Sequence, residues 1–155
     1  MADVATTHAA DGLATGHLAV LRTIMARWRE GDLDGVIACL HPDIVWHYAA
    51  GAQPPVRGTA QARRLLVALQ REMLDVRWQV FAAAEVGDRL FVEGVDAYRT
   101  PDGHEIATPY AGVLELRDGL VIGWRDYVDL SVAARQRAGD GFSEQVRELI
   151  GRPAI

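Results

Sequence analysis

The sequence predicts an α+β domain in which helices pack on one face of a curved, largely antiparallel β-sheet. Two observations lead to this prediction. Apolar residues recur at helical spacing in the first half of the chain, and four strand candidates joined by hairpin-type turns follow in the second half. A curved sheet closed by helices leaves a pocket between the two layers, which is a natural binding site for a small molecule.

The composition narrows the class of protein. The chain has 155 residues, half of them hydrophobic, which suits one compact domain. Its net charge of −5 and its lack of a basic run argue against a nucleic-acid partner. Cys39 is the single cysteine, so an intrachain disulfide is impossible, and we expect it to be a small buried helix residue.

The start of the chain has no signal-peptide pattern, and no apolar run approaches the roughly 20 residues that span a bilayer. We therefore expect a cytoplasmic protein that does not contact a membrane. Residues 1–13 are expected to form a flexible tail, and residues 14–155 are expected to form a single domain.

The first helix is predicted to begin at Thr15. The apolar residues of its buried face are Leu21, Ile24, Met25 and Trp28. Gly31 should end this helix, and the Asp32 side chain can cap a short second helix that runs through Leu40. His41 and Pro42 should end the second helix in turn.

Alternating apolar residues predict a strand over residues 43–49, followed by a loop. Thr59 is expected to cap a third helix. The four later strand candidates are residues 75–85, 89–100, 105–116 and 120–129. Pro109 lies inside the third of these and removes a ladder donor, so that strand should be at an edge or carry a bulge there.

The last strand candidate, "GLVIGWRDYVDL", contains a carboxylate where an apolar residue is expected. At a period of two, the residues of one face are Leu120, Ile122, Trp124, Asp126 and Val128. Burying an isolated carboxylate costs several kcal/mol, roughly, unless it is paired, hydrogen-bonded or protonated. Asp126 is therefore a candidate functional residue, with a structural salt bridge or backbone hydrogen bond as the alternative. Asp129, on the other face, is expected to cap a C-terminal helix.

The stretch "RLFVEGVDAYRT" places a second carboxylate on a strand with two largely apolar faces. Asp96 shares its face with Gly94, which leaves space for a ligand, and with Tyr98, which can form hydrogen bonds. Glu93 would take the same role if the strand were turned over. The pattern of residues favours Asp96 and leaves Glu93 open.

Two aspartates on neighbouring strands that point into one apolar pocket would titrate as a coupled pair. Such a pair tends to share one proton, so Asp96 and Asp126 would supply one donor and one acceptor near neutral pH, without a metal or cofactor. The residues expected to bind substrate around them are Trp46, Tyr48, Gly94, Tyr98, Thr108, Tyr110, Trp124 and Val128. This aromatic wall suits a small, mostly apolar metabolite. The histidines show no metal-binding spacing, and no GxGxxG, P-loop or GxSxG motif occurs, so no metal and no cofactor are expected.

The stretches "VEGVDAY", "GHEIATPYAGVLEL" and "GWRDYVDL" resemble the limonene-1,2-epoxide hydrolase family, which belongs to the SnoaL-like and nuclear-transport-factor-2-like (NTF2-like) superfamily. The resemblance covers nearly the whole chain from Thr15. It implies a cone in which three N-terminal helices pack on a strongly curved, mixed, mainly antiparallel sheet that encloses an apolar pocket. It also implies a homodimer formed through the outer face of the sheet.

In that family, the aspartate that matches Asp126 activates a water molecule, and the aspartate that matches Asp96 delivers a proton to the epoxide oxygen. The resemblance therefore favours Asp96 over Glu93. Gly94 stands where the family has an arginine that bridges the two carboxylates. Without that cation, both carboxylates should have higher pKa values, which makes acid catalysis easier and water activation harder.

Two more positions depart from the family, because Trp46 and Tyr48 stand where a tyrosine and an asparagine hold the water. The sequence thus predicts a cofactor-independent acid–base enzyme, and epoxide opening by water or by an internal nucleophile is the favoured reaction. A polyketide-type cyclase or isomerase of secondary metabolism, with Asp96 or Asp126 as a single base, is the alternative. A non-catalytic small-molecule-binding module is the third interpretation.

Overall fold

The computed structural model describes residues 16–155, so the predicted tail and the predicted helix start at Thr15 lie outside the described residues. The elements are α1 (His17–Glu30), α2 (Leu33–Ala38), β1 (Leu40–His47), β2 (Val56–Arg57), α3 (Gly58–Glu72), β3 (Gln79–Val86), β4 (Arg89–Arg99), β5 (Glu105–Arg117), β6 (Leu120–Val128), α4 (Leu130–Arg137) and α5 (Glu144–Ile150). The strands form a six-stranded sheet in the order β2-β1-β6-β5-β4-β3. β1 runs parallel to β6, and the other neighbours are antiparallel.

The predicted helix ends follow the local chemistry at Gly31, Asp32 and Asp129 and depart from it at two other places. Gly31 ends α1 in the left-handed conformation, with a φ of 74°. The Asp32 side chain caps α2 by accepting a hydrogen bond from the backbone N–H of Gly35. Thr59 is not a cap, because α3 already begins at Gly58.

The start of β1 contains residues that we expected to end α2. His41 and Pro42 lie inside β1, because α2 ends at Ala38. The register of β1 against β6 is irregular between Leu40 and Val45. Pro42 therefore lies where the ladder is interrupted and where its missing N–H removes no regular hydrogen bond.

Strand β6 carries a bulge, seen as a shift in its register with β5. Val121, which a strict period of two places on the face opposite that of Trp124, is fully buried and belongs to the main core together with Trp124. Leu120 and Ile122 are only half-buried, so the predicted face is wrong for these two residues. The bulge returns the alternation to the predicted one before Asp126.

Pro109 lies in a central strand, but in a part of it that has an open edge. Pairing between β5 and β6 begins only at Tyr110 opposite Val128, so residues 105–109 pair with β4 alone. The side chain of Gln136 takes the place of the missing strand. Its Oε1 accepts from the N–H of Ala107 at 2.8 Å, and its Nε2 donates to the same residue's carbonyl at 3.0 Å.

The main core lies between the helices and the concave face of the sheet, and a second cluster lies on the opposite face. There, Val95 and Ala107 pack with Val146 of α5. The segment after α5 also lies against this face, because Arg152 makes two hydrogen bonds to the Glu93 carboxylate. None of the helices within residues 16–155 has the length and apolar character needed to cross a bilayer.

Candidate functional site

A cavity of about 390 Å³ lies between the helices and the concave face of the sheet. Nine residues that we predicted for the site line it, namely Trp46, Tyr48, Asp96, Tyr98, Thr108, Tyr110, Trp124, Asp126 and Val128. The remaining lining is mostly aliphatic and comes mainly from α1, α2, α3 and α4. The cavity therefore combines an apolar wall with a few charged groups, among them the carboxyl groups of Asp96 and Asp126.

The Asp126 carboxylate is held by two indole groups. Trp124 Nε1 donates to Oδ1 at 2.9 Å, and Trp46 Nε1 donates to Oδ2 at 3.2 Å. Trp46 lies directly opposite Trp124 in the parallel pairing of β1 and β6, and their rings stack with centroids 4.8 Å apart. Each carboxylate oxygen thus has one indole donor.

Two glycines on the neighbouring strands allow close packing around the site, and for Gly94 this differs from the expected role. Gly112 lies opposite Asp126, and a Cβ at Gly112 would come within 3.2 Å of Asp126 Oδ1. Gly112 therefore provides room for the carboxylate. Gly94, which we predicted to leave space for a ligand, does not line the cavity: a Cβ there would lie 2.2 Å from the Gln79 carbonyl oxygen and 2.9 Å from the Tyr110 ring.

Asp96 lies on β4, opposite Thr108 of β5, and its side chain faces the same cavity as Asp126. Burial raises the pKa of the Asp96 carboxyl to about 7. Glu93, the alternative to Asp96, lies on the other face of the strand and is paired with Arg152. The geometry therefore brings Asp96, and not Glu93, into the cavity with Asp126.

The two carboxyl groups are electrostatically linked. Burial raises the pKa of Asp126 to about 7, and the charge of Asp96 raises it further, while the hydrogen bonds from Trp46 and Trp124 lower it. Because each carboxylate makes ionisation of the other more costly, the pair holds about one proton near neutral pH. One group can then donate a proton while the other accepts one.

Three phenol groups, those of Tyr48, Tyr98 and Tyr110, line the cavity together with Asp96 and Asp126. Burial is the main cause that raises the pKa of Tyr48, and the charges of Asp96 and Asp126 raise it further. Tyr110 Oη accepts a hydrogen bond of 2.6 Å from Trp78 Nε1, and Tyr98 Oη accepts one of 2.9 Å from Arg137 Nη2 of α4. The phenols are therefore neutral hydrogen-bond donors at physiological pH.

Several residues that line the cavity were not predicted from the sequence, and four of them carry aromatic or charged groups, namely Trp28, Glu72, Trp78 and Arg137. The strand predicted over residues 75–85 begins only at Gln79, so Trp78 precedes β3 and is not placed by its alternation. Arg137 could have been found, because Leu130, Ala133, Ala134 and Arg137 have the spacing of one helical face. Within residues 16–155, no three His, Cys, Asp or Glu side chains come together as ligands for a metal ion.

The chain is similar to known proteins in both sequence and structure. A family model described as "SnoaL-like domain" matches residues 21–124. No curated protein matches the chain. Among solved structures, an LEH-like epoxide hydrolase from M. tuberculosis is 23% identical, with a TM-score of 0.66 and with 76% of this chain and 85% of that chain covered.

Two further structures have the same architecture. A protein from Shewanella putrefaciens CN-32, described as a SnoaL-like polyketide cyclase, is 16% identical, with a TM-score of 0.71 and coverage of 79% of this chain and 96% of that one. A protein from Catenulispora acidiphila with a ketosteroid isomerase-like fold is 18% identical, with a TM-score of 0.69 and coverage of 80% and 97%. These likenesses confirm the predicted NTF2-like fold, a curled mixed sheet that is not closed into a barrel.

Proposed function

Because the chain belongs to the family of SnoaL-like domains, we propose that it is a cofactor-independent acid–base enzyme that acts on a small, mostly apolar metabolite. One observation carries the proposal. Two carboxyl groups with pKa values near 7 face one apolar cavity, and they differ in their hydrogen-bond donors. Groups with pKa values close to the working pH are suited to both donating and accepting protons.

The hydrogen bonds support different roles for the two carboxyl groups. Two indole N–H groups donate to Asp126, and donors of this kind stabilise the charged carboxylate. Asp96 lies in the same cavity, and burial raises its pKa without a compensating donor. Asp126 is therefore the base and Asp96 is the acid that holds the shared proton.

The favoured reaction is the opening of an epoxide. Asp96 gives its proton to the epoxide oxygen as the carbon–oxygen bond of the ring breaks. Asp126 takes a proton from the nucleophile, a water molecule or a hydroxyl of the substrate, as the new carbon–oxygen bond forms. A proton then returns from Asp126 to Asp96, directly or through solvent, which restores the starting state.

One observation favours isomerisation or cyclisation as a second candidate. Trp46 donates to Asp126 itself, so it is engaged with the base and not with a water molecule. Asp126 can instead remove a proton from a carbon next to a carbonyl group. Asp96 and the neutral phenol of Tyr48 then donate hydrogen bonds to the enolate oxygen.

The test uses cyclohexene oxide and limonene-1,2-epoxide as substrates in water enriched in oxygen-18. We expect a diol that carries the label, and we expect loss of turnover in both Asp96→Asn and Asp126→Asn. Asp43→Asn is the matched control, because that carboxylate is 84% exposed and lies on the same sheet. Turnover that persists in Asp126→Asn would rule out Asp126 as the base.

The second candidate is tested with 3-cyclohexenone in deuterated water. Exchange of the hydrogens next to the carbonyl, without any reaction of the epoxides, would favour the isomerase. If both substrate classes raise the melting temperature without reacting, the binding-module interpretation is preferred. The single domain over residues 14–155, the homodimer and the cytoplasmic location stay predictions.

A further inference from the structure

Helix α4 forms one side of the cavity and ends in a cation. Asp129 caps the helix by accepting from the backbone N–H of Ser131. The residues that α4 contributes to the cavity lining are Leu130, Ala133, Ala134 and Arg137. These four have the spacing of a single helical face, so the helix presents an apolar strip that finishes at Arg137.

The guanidinium group of Arg137 uses only part of its hydrogen-bonding capacity. Its Nη2 donates a hydrogen bond of 2.9 Å to Tyr98 Oη, and its central carbon lies 5.8 Å from the centre of the same ring. Its Nη1 lies 4.0 Å from Glu72 Oε2, which is beyond hydrogen-bond distance. The side chain is 43% exposed, so the group lies at the border between the cavity and solvent.

Arg137 is the cation in a lining whose other charged groups are carboxylates. These charged residues are Glu72, Asp96, Asp126 and Arg137. Asp96 lies two residues before Tyr98 on the same face of β4, so the acid, the phenol and the guanidinium follow one another along this wall.

We propose that Arg137 and Tyr98 form a recognition site for a carboxylate at one end of the substrate. This inference rests on the proposed function, because it places the reacting centre between Asp96 and Asp126 and the carboxylate near α4. The substrate class is then an apolar acid, with one charged end and a reactive group several carbon atoms away.

A carboxylate suits this site for two reasons. The planar guanidinium has several N–H donors in a fixed fork, which match two carboxylate oxygens. The Tyr98 hydroxyl accepts from Arg137 and still has its own proton to donate. A carboxylate that entered more deeply would meet the two aspartates, so charge repulsion holds it near Arg137 and fixes the direction of the substrate.

Substitution of Glu72 provides a second test, in which the affinity for an anionic ligand should increase and not decrease. Its carboxylate is 59% exposed and lies close to Arg137 without a hydrogen bond, so it competes weakly for the same cation. The charge of Glu72 also repels an incoming carboxylate. Removing the charge of Glu72 should therefore strengthen the binding of an anionic ligand and leave that of a neutral ligand unchanged.

The probes are octanoate and octanamide, which share their chain length and differ in charge. All four tryptophans of the chain line the cavity, so tryptophan fluorescence reports binding directly. At pH 7, we expect octanoate to bind about tenfold more tightly than octanamide. Arg137→Gln should abolish this preference, Arg137→Lys should retain part of it, and Glu72→Gln should increase it about threefold.

Several outcomes would overturn the inference. Equal binding of both probes to the unsubstituted protein would show that the cavity takes apolar ligands without charge recognition, and the proposed function would stand. A preference for octanoate that survives Arg137→Gln, with unchanged octanamide binding and melting temperature, would place the anion elsewhere. Loss of activity in the aspartate variants is measured separately, so failure of the proposed function is distinguished from failure of this inference.

Discussion

The indole Nε1 of Trp46 donates a hydrogen bond of 3.2 Å to Oδ2 of Asp126, a residue 80 positions further along the chain. The parallel pairing of β1 and β6 creates this contact, because it places Trp46 directly beside Trp124. Trp124 donates to the other oxygen of the same carboxylate. The base of the proposed reaction is therefore oriented from two strands at once.

Trp46→Phe should leave less of Asp126 ionised at a given pH while preserving the aromatic packing. A hydrogen bond to a charged group contributes about 1.5–3 kcal/mol, and about 1.4 kcal/mol corresponds to one pKa unit. Losing one donor should therefore raise the pKa of Asp126 by about one unit. We expect the acidic limb of the pH–rate profile, measured as kcat/KM, to move to higher pH.

Trp78→Phe is the matched control for this measurement. The Trp78 ring also stacks on Trp124, with centroids 6.0 Å apart, but its N–H donates to Tyr110. This variant loses an indole from the same wall and keeps both donors to Asp126. An equal shift of the acidic limb in both variants would contradict a specific role for Trp46.

Gly94→Ala should destabilise the fold, because its Cβ would lie 2.2 Å from the backbone carbonyl oxygen of Gln79. Such overpacking typically costs about 1–3 kcal/mol, and the contact is with backbone that cannot rotate away. Chemical denaturation should show a loss of about 2 kcal/mol or more.

Gly123→Ala is the comparison for Gly94, since both glycines lie inside strands at a negative φ. The Cβ at Gly123 would meet the Glu115 side chain, with its nearest atom, the carboxylate oxygen, at 3.0 Å. That side chain can move, so we expect a loss of less than about 1 kcal/mol. If both variants lost the same stability, the close approach of Gln79 would not be the reason for Gly94.

Gln136→Met should leave two backbone groups at the open edge of β5 without a hydrogen-bond partner. The amide of Gln136 satisfies both the N–H and the carbonyl of Ala107, and methionine has a similar shape but can satisfy neither. A buried polar group without a partner costs about 1–3 kcal/mol, so we expect a loss of about 2–4 kcal/mol in the free energy of unfolding. Arg135→Met, at the exposed neighbouring position, should change stability by less than about 0.5 kcal/mol. A small effect at Gln136 would mean that water replaces its amide.

Much of the fold was predictable from local chemistry. Hairpin turns and strong alternation placed β4, β5 and β6 to within a residue or so at each end, and the alternation of β4 put Asp96 on a face with Tyr98. The NTF2-like architecture was predicted from the resemblance of the motifs, and the structural likenesses confirm it.

What the sequence could not predict depends on contacts between strands. The bulge in β6 is a property of its register with β5, so a strict period of two misplaced Ile122. The role of Gly112 follows from its position opposite Asp126, and that of Gly94 from the approach of β3. The strand predicted over residues 75–85 starts only at Gln79, so Trp78 lies outside it and the predicted alternation does not hold for its side chain.

The buried aspartates should make stability fall as the pH rises. An aspartate has an ordinary pKa of 3.8, and burial raises that of Asp96 to about 7 in the folded protein. Between these values, the folded state keeps a proton that the unfolded state has released. The free energy of unfolding should therefore decrease from about pH 4 to about pH 7, by at most about 1.4 kcal/mol per pH unit for each group.

Asp96→Asn removes one of these ionisations and should flatten the pH dependence, raising the melting temperature at pH 8 above that of the unsubstituted protein. Asp126→Asn should gain less, because the asparagine amide offers one acceptor to two indole donors, and its NH₂ group would face the other indole N–H. The two variants therefore separate the cost of burying a charge from the stabilisation provided by Trp46 and Trp124. Melting temperatures measured from pH 4 to pH 8 give both slopes. A profile of Asp96→Asn that runs parallel to that of the unsubstituted protein would show that Asp96 ionises at its ordinary pKa.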